Sequence, residues 1–240
     1  MKFTSDLQKA IFLSSVPLRE IDPNNQPIRM GSGCLIDHGG KRILLTAAHV
    51  TKNQGRWCIE LGYQPGQATS LHSLGPMNFL MKIVLGGSIH DVDFSYVEVP
   101  RDLQPLRQEI IDADTVGEEI PITVHQLDFS IKPSATRKYG FCGTVMHALE
   151  KHSGKTFLTA ELRSYEGLTY LRDEADYHVF KLPMSHPGHE HFQGTSGAPV
   201  LDDQRRVVAL VCSGCVSRDE IYAVSIARYR TALDILVGKI

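Results

Sequence analysis

Residues 34–50 read CLIDHGGKRILLTAAHV, and this stretch sets what kind of fold the rest of the chain must supply. Two runs of branched apolar residues flank Gly39-Gly40, a pair that accepts positive φ at both centres and so predicts a tight β-hairpin. The second run closes on Ala47, Ala48 and His49. Small residues after a buried strand bring an imidazole to the rim of a core, packed yet reachable. On its own the position reads first as an ordinary core histidine.

Short β-rich runs recur along the chain. WCIELGY (57–63), FLMKIVLGG (79–87) and DFSYVEV (93–99) follow the hairpin. Residues 100–118 are polar, carry two prolines and read as a connection. A second set of strands comes after it: PITVHQL (121–127), GTVMHAL (143–149), TFLTAEL (156–162), YHVFKLP (177–183), APVLD (198–202), RRVVALVCSG (205–214) and IYAVSIA (221–227). The one clear helical period is at the C-terminus, where Ile226, Tyr229, Leu233, Leu236, Val237 and Ile240 share a face. The expectation is an all-β chain of two similar-sized barrels, residues 1–105 and 106–240, with the terminal helix closing the second.

Composition narrows the function classes. Of 240 residues, 25 are basic and 27 acidic, a net charge of -2 that gives no reason to expect a nucleic-acid partner. No apolar run approaches the roughly 18 residues needed to cross a bilayer, so no membrane partner is expected. The apolar stretch near the N-terminus lacks a basic segment directly before it and reads as part of the mature protein. Five cysteines leave at least one unpaired, which fits free thiols in a reducing cytoplasm.

FQGTSGAPV (192–200) places Ser196 between Thr195 and Gly197. By itself that is good turn chemistry. A nucleophile needs a base and an acid as well. Most of the eleven histidines, among them His38, His72, His125, His147, His152 and His178, have nothing to distinguish them, whereas His49 does. HDVDFSYVEV (90–99) offers Asp91 and Asp93 as acids. From Asp93 the residue two along is the small Ser95, which could pack beside His49; from Asp91 it is a second charge, expensive to bury. Asp93 is therefore the better orienting carboxylate. The order His49, Asp93, Ser196 follows the chymotrypsin arrangement of a triad. The α/β-hydrolase order fails, because no histidine follows Ser196 and Ala198 stands where its motif needs glycine. A subtilisin order would need an aspartate before His49 and a parallel sheet.

GSGCLI…ILLTAAHV, DFSYVEV and FQGTSGAPV…VVALVCSG together resemble the trypsin/chymotrypsin-like serine peptidases over roughly residues 28–227. The resemblance implies two antiparallel six-stranded β-barrels with the active site between them. It also implies His49 as general base, Asp93 as its orienter, Ser196 as nucleophile, and an oxyanion hole built from the N–H groups of Gly194 and Ser196. Glu190, six residues before the serine, falls at the pocket-base position, and Gly214 falls on the substrate-binding wall. The pattern departs from secreted members in two places. Gly31 and Val50 stand where a disulfide across the histidine loop would have its cysteines, and Thr195 replaces the aspartate that pairs with a newly freed N-terminus. Both departures resemble intracellular bacterial members, some of which work beside a partner protein in defence or stress systems.

The expected activity is a serine endopeptidase acting on a protein or peptide, with no cofactor. The oxyanion loop would then be ordered by its own packing or by an activating partner protein. Two alternatives stand beside this. SHPGHEHF (185–192) groups His186, His189, Glu190 and His191, which with Cys212 and Cys215 could hold zinc, although one loop rarely supplies a structural site and no metal is expected. The other is a trypsin-like module that binds without catalysis.

Overall fold

The computed structural model describes residues 3–53, 55–62, 69–83, 86–110, 116–152 and 155–239, except for the side chains of 109, 110, 116, 147, 152, 155 and 157. Tyr63, Val84, Leu85 and Ile240, and the side chains of His147 and His152, lie outside the described residues.

The chain opens with a helix that the periodicity reading did not anticipate. In α1 (Asp6–Ser14) the cap is Ser5, whose hydroxyl accepts the Gln8 N–H at 2.9 Å. Ile11, Phe12 and Leu13 are all buried, so three consecutive apolar positions hide the helical period. Seven strands follow around a short helical turn: β1 (Val16–Ile21), β2 (Pro27–His38), β3 (Lys41–Thr46), α2 (Ala48–Thr51), β4 (Arg56–Gly62), β5 (Ser70–Ser73), β6 (Asn78–Ile83) and β7 (Ile89–Val99). They pair in the order β5-β4-β1-β2-β3-β7-β6. Gly39 and Gly40, at φ 56° and 83°, make the expected hairpin turn between β2 and β3, with His38 opposite Lys41.

The connection is more structured than its composition suggests. β8 (Leu106–Ile110) and β9 (Val116–Pro121) pair as a separate hairpin, and β10 (His125–Gln126) runs parallel to β2. Of the expected strand 121–127, only Pro121, as the end of β9, and His125–Gln126 are in strand.

The second half is a closed six-stranded barrel. β11 (Lys138–His152), β12 (Lys155–Glu174), β13 (Tyr177–Lys181), β14 (Pro199–Asp202), β15 (Val207–Cys215) and β16 (Glu220–Ser225) close in the order β11-β12-β13-β16-β15-β14. Its core holds Tyr139, Phe141, Phe180, Val200, Val211 and Ala223, all essentially inaccessible. The first half is an eight-stranded sheet, counting β10, whose ladder does not close among the described residues.

Each terminal helix packs on the opposite half. α1 lies against β11, β12 and β14, and Ser5 donates to the Glu166 carboxylate at 2.7 Å. The C-terminal segment makes one 3-10 turn at Ala227–Tyr229 and then α3 (Arg230–Leu236). It turns back to the first half rather than closing the second. Asp234 meets the His38 ring at 2.7 Å, and Tyr229 stacks on Phe94 of β7 with ring centroids 5.1 Å apart. Leu233 is fully buried in a core that spans both halves, from Leu35, Ile36 and Phe94 to Leu210 and Val224. No helix among the described residues is long and apolar enough to cross a membrane.

Candidate active site

β3 ends at Thr46 and passes directly into α2, which carries His49. β7 lies beside β3, with Thr46 opposite Ser95. That register brings the start of β7 under α2, as the small Ser95 suggested: its hydroxyl is buried, 3.2 Å from the Thr51 hydroxyl. Two residues earlier, Asp93 grips His49 twice. Its Oδ1 accepts the His49 backbone N–H at 3.0 Å, and its Oδ2 lies 2.9 Å from ring Nδ1. Burial works to raise the Asp93 pKa, but the hydrogen bonds and charge of His49 outweigh it, and the carboxyl sits below its ordinary value. An ionised Asp93 accepts only, so Nδ1 carries a proton, and in the neutral ring Nε2 is then the free acceptor. Asp91 is elsewhere, exposed and paired with Lys52.

Ser196 lies on the loop between a 3-10 turn (Glu190–Phe192) and β14. Its hydroxyl donates to the Cys212 carbonyl at 3.3 Å; among the described residues it makes no hydrogen bond to His49. Cys212 also reaches the other side of the site, with its thiol 3.7 Å from the Asp93 carbonyl oxygen. One residue of β15 thus touches both Asp93 and Ser196.

The loop itself is pinned at nearly every peptide. Gln193 N–H donates to the Glu190 carbonyl, Thr195 N–H to Phe192, Gly197 N–H to Val211 and Ala198 N–H to Thr195. The Thr195 hydroxyl also donates to the Phe192 carbonyl, at 2.8 Å. From the first half, Ser32 contributes two bonds: its hydroxyl donates to the Gly194 carbonyl at 2.8 Å and its N–H to the Ser196 carbonyl at 2.9 Å. In 193–198, only the N–H groups of Gly194 and Ser196 donate to nothing among the described residues. Gly194 holds φ 98°, and a Cβ there would stand 2.8 Å from the Thr144 carbonyl, so the position needs glycine. Ser32 had no sequence signal; its partners lie more than 160 residues away.

The specificity residues fall differently from expectation. Glu190, expected as a buried pocket base, is exposed on the surface of its 3-10 turn. His186 takes the interior position, 7% exposed, against Gly214. A 3-10 turn occupies the loop before the serine and carries Glu190 outward. The zinc grouping does not assemble either. His191 is bound to the Tyr165 hydroxyl at 2.5 Å, Cys212 is buried beside Asp93, and no group of three ligating side chains is placed for a metal among the described residues. All five cysteines are free thiols.

This is the fold of the trypsin/chymotrypsin-like serine peptidases, as the sequence resemblance implies. No family model matches the sequence, and no curated protein matches it. Among solved structures, human heparin binding protein aligns over 95% of this chain and 93% of its own, with a TM-score of 0.60 and 12% identity. A serine endoprotease from Yersinia pestis aligns over 99% of this chain and 68% of its own, with a TM-score of 0.56 and 11% identity. The likeness is one of fold.

Proposed function

We propose that the protein is a serine endopeptidase with His49, Asp93 and Ser196 as its triad and the Gly194 and Ser196 amides as its oxyanion hole. The observation that carries this reading is the pair of free amides. A loop that satisfies every neighbouring N–H yet leaves these two unpaired among the described residues, one of them on the serine itself, is ready to receive a developing oxyanion.

In the reaction, the Ser196 hydroxyl turns from the Cys212 carbonyl toward His49 and gives its proton to Nε2 as Oγ bonds to the substrate carbonyl carbon. The carbonyl electron pair moves onto oxygen, where the two amides hold it. Collapse breaks the C–N bond, and the imidazolium returns its proton to the leaving amine. Water then repeats the sequence on the acyl-enzyme, and Ser196 is restored. Asp93 stabilises the imidazolium and fixes its tautomer throughout.

Activation need not involve a freed N-terminus. Thr195 is 1% exposed and its hydroxyl is satisfied by Phe192, so the loop offers no carboxylate to compensate an inserted ammonium. The ordered loop supports self-activation over dependence on a partner protein, and the five free thiols support a reducing, cytoplasmic setting. A second reading, a module that binds without catalysis, is favoured by the bond from Ser196 to Cys212 in place of His49. A fluorophosphonate probe decides between the two. Stoichiometric labelling lost in Ser196→Ala supports the peptidase; no labelling refutes it. Sequencing the N-terminus of the labelled protein tests the activation reading, which fails if labelling requires removal of leading residues.

A further inference from the structure

The His186 imidazole has one satisfied nitrogen and one orphan. The Gly188 N–H lies 3.0 Å from Nδ1, and since a backbone amide can only donate, Nδ1 is the acceptor. The neutral ring therefore carries its hydrogen on Nε2. That nitrogen is buried and has no partner. A buried donor left unmade is unfavourable, and such groups in folded proteins usually answer to a ligand or a water.

Its position says which ligand. A Cβ on Gly214 would stand 2.4 Å from Nε2, so the nitrogen presses on the bare face of β15 at Gly214. Gly214 is two residues along that strand from Cys212, whose carbonyl holds the Ser196 hydroxyl at 3.3 Å. Two strand residues span about 7 Å, the reach of a side chain on the residue whose carbonyl Ser196 attacks. The absence of a side chain at Gly214 is what admits the imidazole to this wall.

Three neighbours orient the ring when no ligand is bound. The His186 backbone N–H donates to Asp219 at 2.8 Å, the Phe192 ring packs edge-on with centroids 4.9 Å apart, and His189 lies 5.6 Å away. Asp219 is itself engaged by Lys181, and Glu190 is exposed. No carboxylate or carbonyl of the protein is bonded to Nε2 among the described residues.

Resting on the peptidase reading, we propose that His186 is a specificity-determining residue whose Nε2–H receives the oxygen of a substrate side chain at the cleaved position, a carboxylate first and an amide second. A donor there cannot accept from lysine or arginine, so basic residues are disfavoured. The charge-assisted bond to a carboxylate is the stronger. Because Nε2 is covered, an acceptor reaches it as the 185–191 segment gives way, about Gly188 at φ 109°.

The test separates recognition from catalysis. Peptides amidated at the C-terminus and ending in Glu, Gln, Lys or Leu are titrated into the Ser196→Ala protein with 15N-labelled histidine, following the His186 Nε2 resonance. Expected are tightest binding for Glu, Gln next, a shift of that resonance, and a preference for Glu over Leu of ten- to a hundredfold that collapses in His186→Ala and is partly kept in His186→Gln. Equal binding of all four peptides, tighter binding of Lys or Leu, or an unchanged preference in His186→Ala would overturn the assignment. Fluorophosphonate labelling of the unmodified protein is read alongside and reports on the peptidase reading alone. A protein that fails to label yet binds Glu peptides through His186 retains the pocket and loses the chemistry.

Discussion

Ser32→Ala is the substitution that most directly probes how the two halves of the molecule make one site. Ser32 is fully buried, and its hydroxyl makes one bond, 2.8 Å to the Gly194 carbonyl. Alanine fits the same space, so no cavity term enters. What remains is a carbonyl without a donor, worth about 1–3 kcal/mol of stability. The Gly194–Thr195 peptide then keeps only the Thr195 N–H bond to Phe192, at 3.1 Å. If the whole loss falls on loop order, the aligned fraction drops and labelling by a fluorophosphonate slows about five- to 150-fold. Tyr139→Phe serves as the control, because it removes the hydroxyl that donates to the Ser134 carbonyl and accepts its N–H, on the second barrel. Both variants should lose denaturant stability in the same range, but only Ser32→Ala should label slowly. If Ser32→Ala loses stability and still labels at the unmodified rate, the bond does not position the loop and the reasoning is wrong.

Much of this site could be read because its signals were local. Gly39-Gly40 announced a turn that demands positive φ at both residues, and it is there. His49 and Asp93 were singled out by their immediate neighbours, Ala47, Ala48 and Ser95, and the structure pairs them. Where the deciding contact is distant, the reading failed. Ser32 looks like any strand serine until the loop 162 residues later folds onto it. Glu190 comes out exposed because counting along a sequence assumes a loop of fixed path, and a 3-10 turn bends this one. α1 carried a start signal, Ser5 followed by Gln8 three residues on, but its apolar residues run consecutively and give no period. The terminal helix was found, yet its packing partner was assigned by nearness in sequence. Burial of Leu233 and the Asp234–His38 contact decide otherwise.

Three further outcomes are expected. Asp93→Asn should lower kcat about ten-thousandfold by reversing the imidazole tautomer, while Asp91→Asn, exposed and paired with Lys52, should leave the rate within about twofold; steady-state assay of both variants decides. His125 is held neutral by burial, with its pKa lowered to about 4 from an ordinary 6.5. The unfolded chain therefore binds the extra proton, and the stability this group contributes is complete above pH 6.5 and lost as pH falls toward 4. Between pH 7 and 5 the loss is about 2 kcal/mol, which urea titration should register and His125→Asn should remove. The last concerns the missing disulfide. A Cβ built on Gly31 stands 3.6 Å from the Val50 Cβ, inside the range of bridged cysteines, although 2.4 Å from a Val50 methyl that a cysteine would not carry. The double variant Gly31→Cys/Val50→Cys should therefore close a bridge under mild oxidation. By loop entropy, a closure of about 20 residues stabilises by about 3 kcal/mol, read as the difference in denaturation midpoint with and without reductant. The bridge would tie β2 to the helical turn carrying His49. If the thiols stay free, or the bridge forms and stability falls, then the approach of Gly31 to Val50 is not equivalent to the covalent link it resembles, and packing of the valine is what fixes the histidine loop.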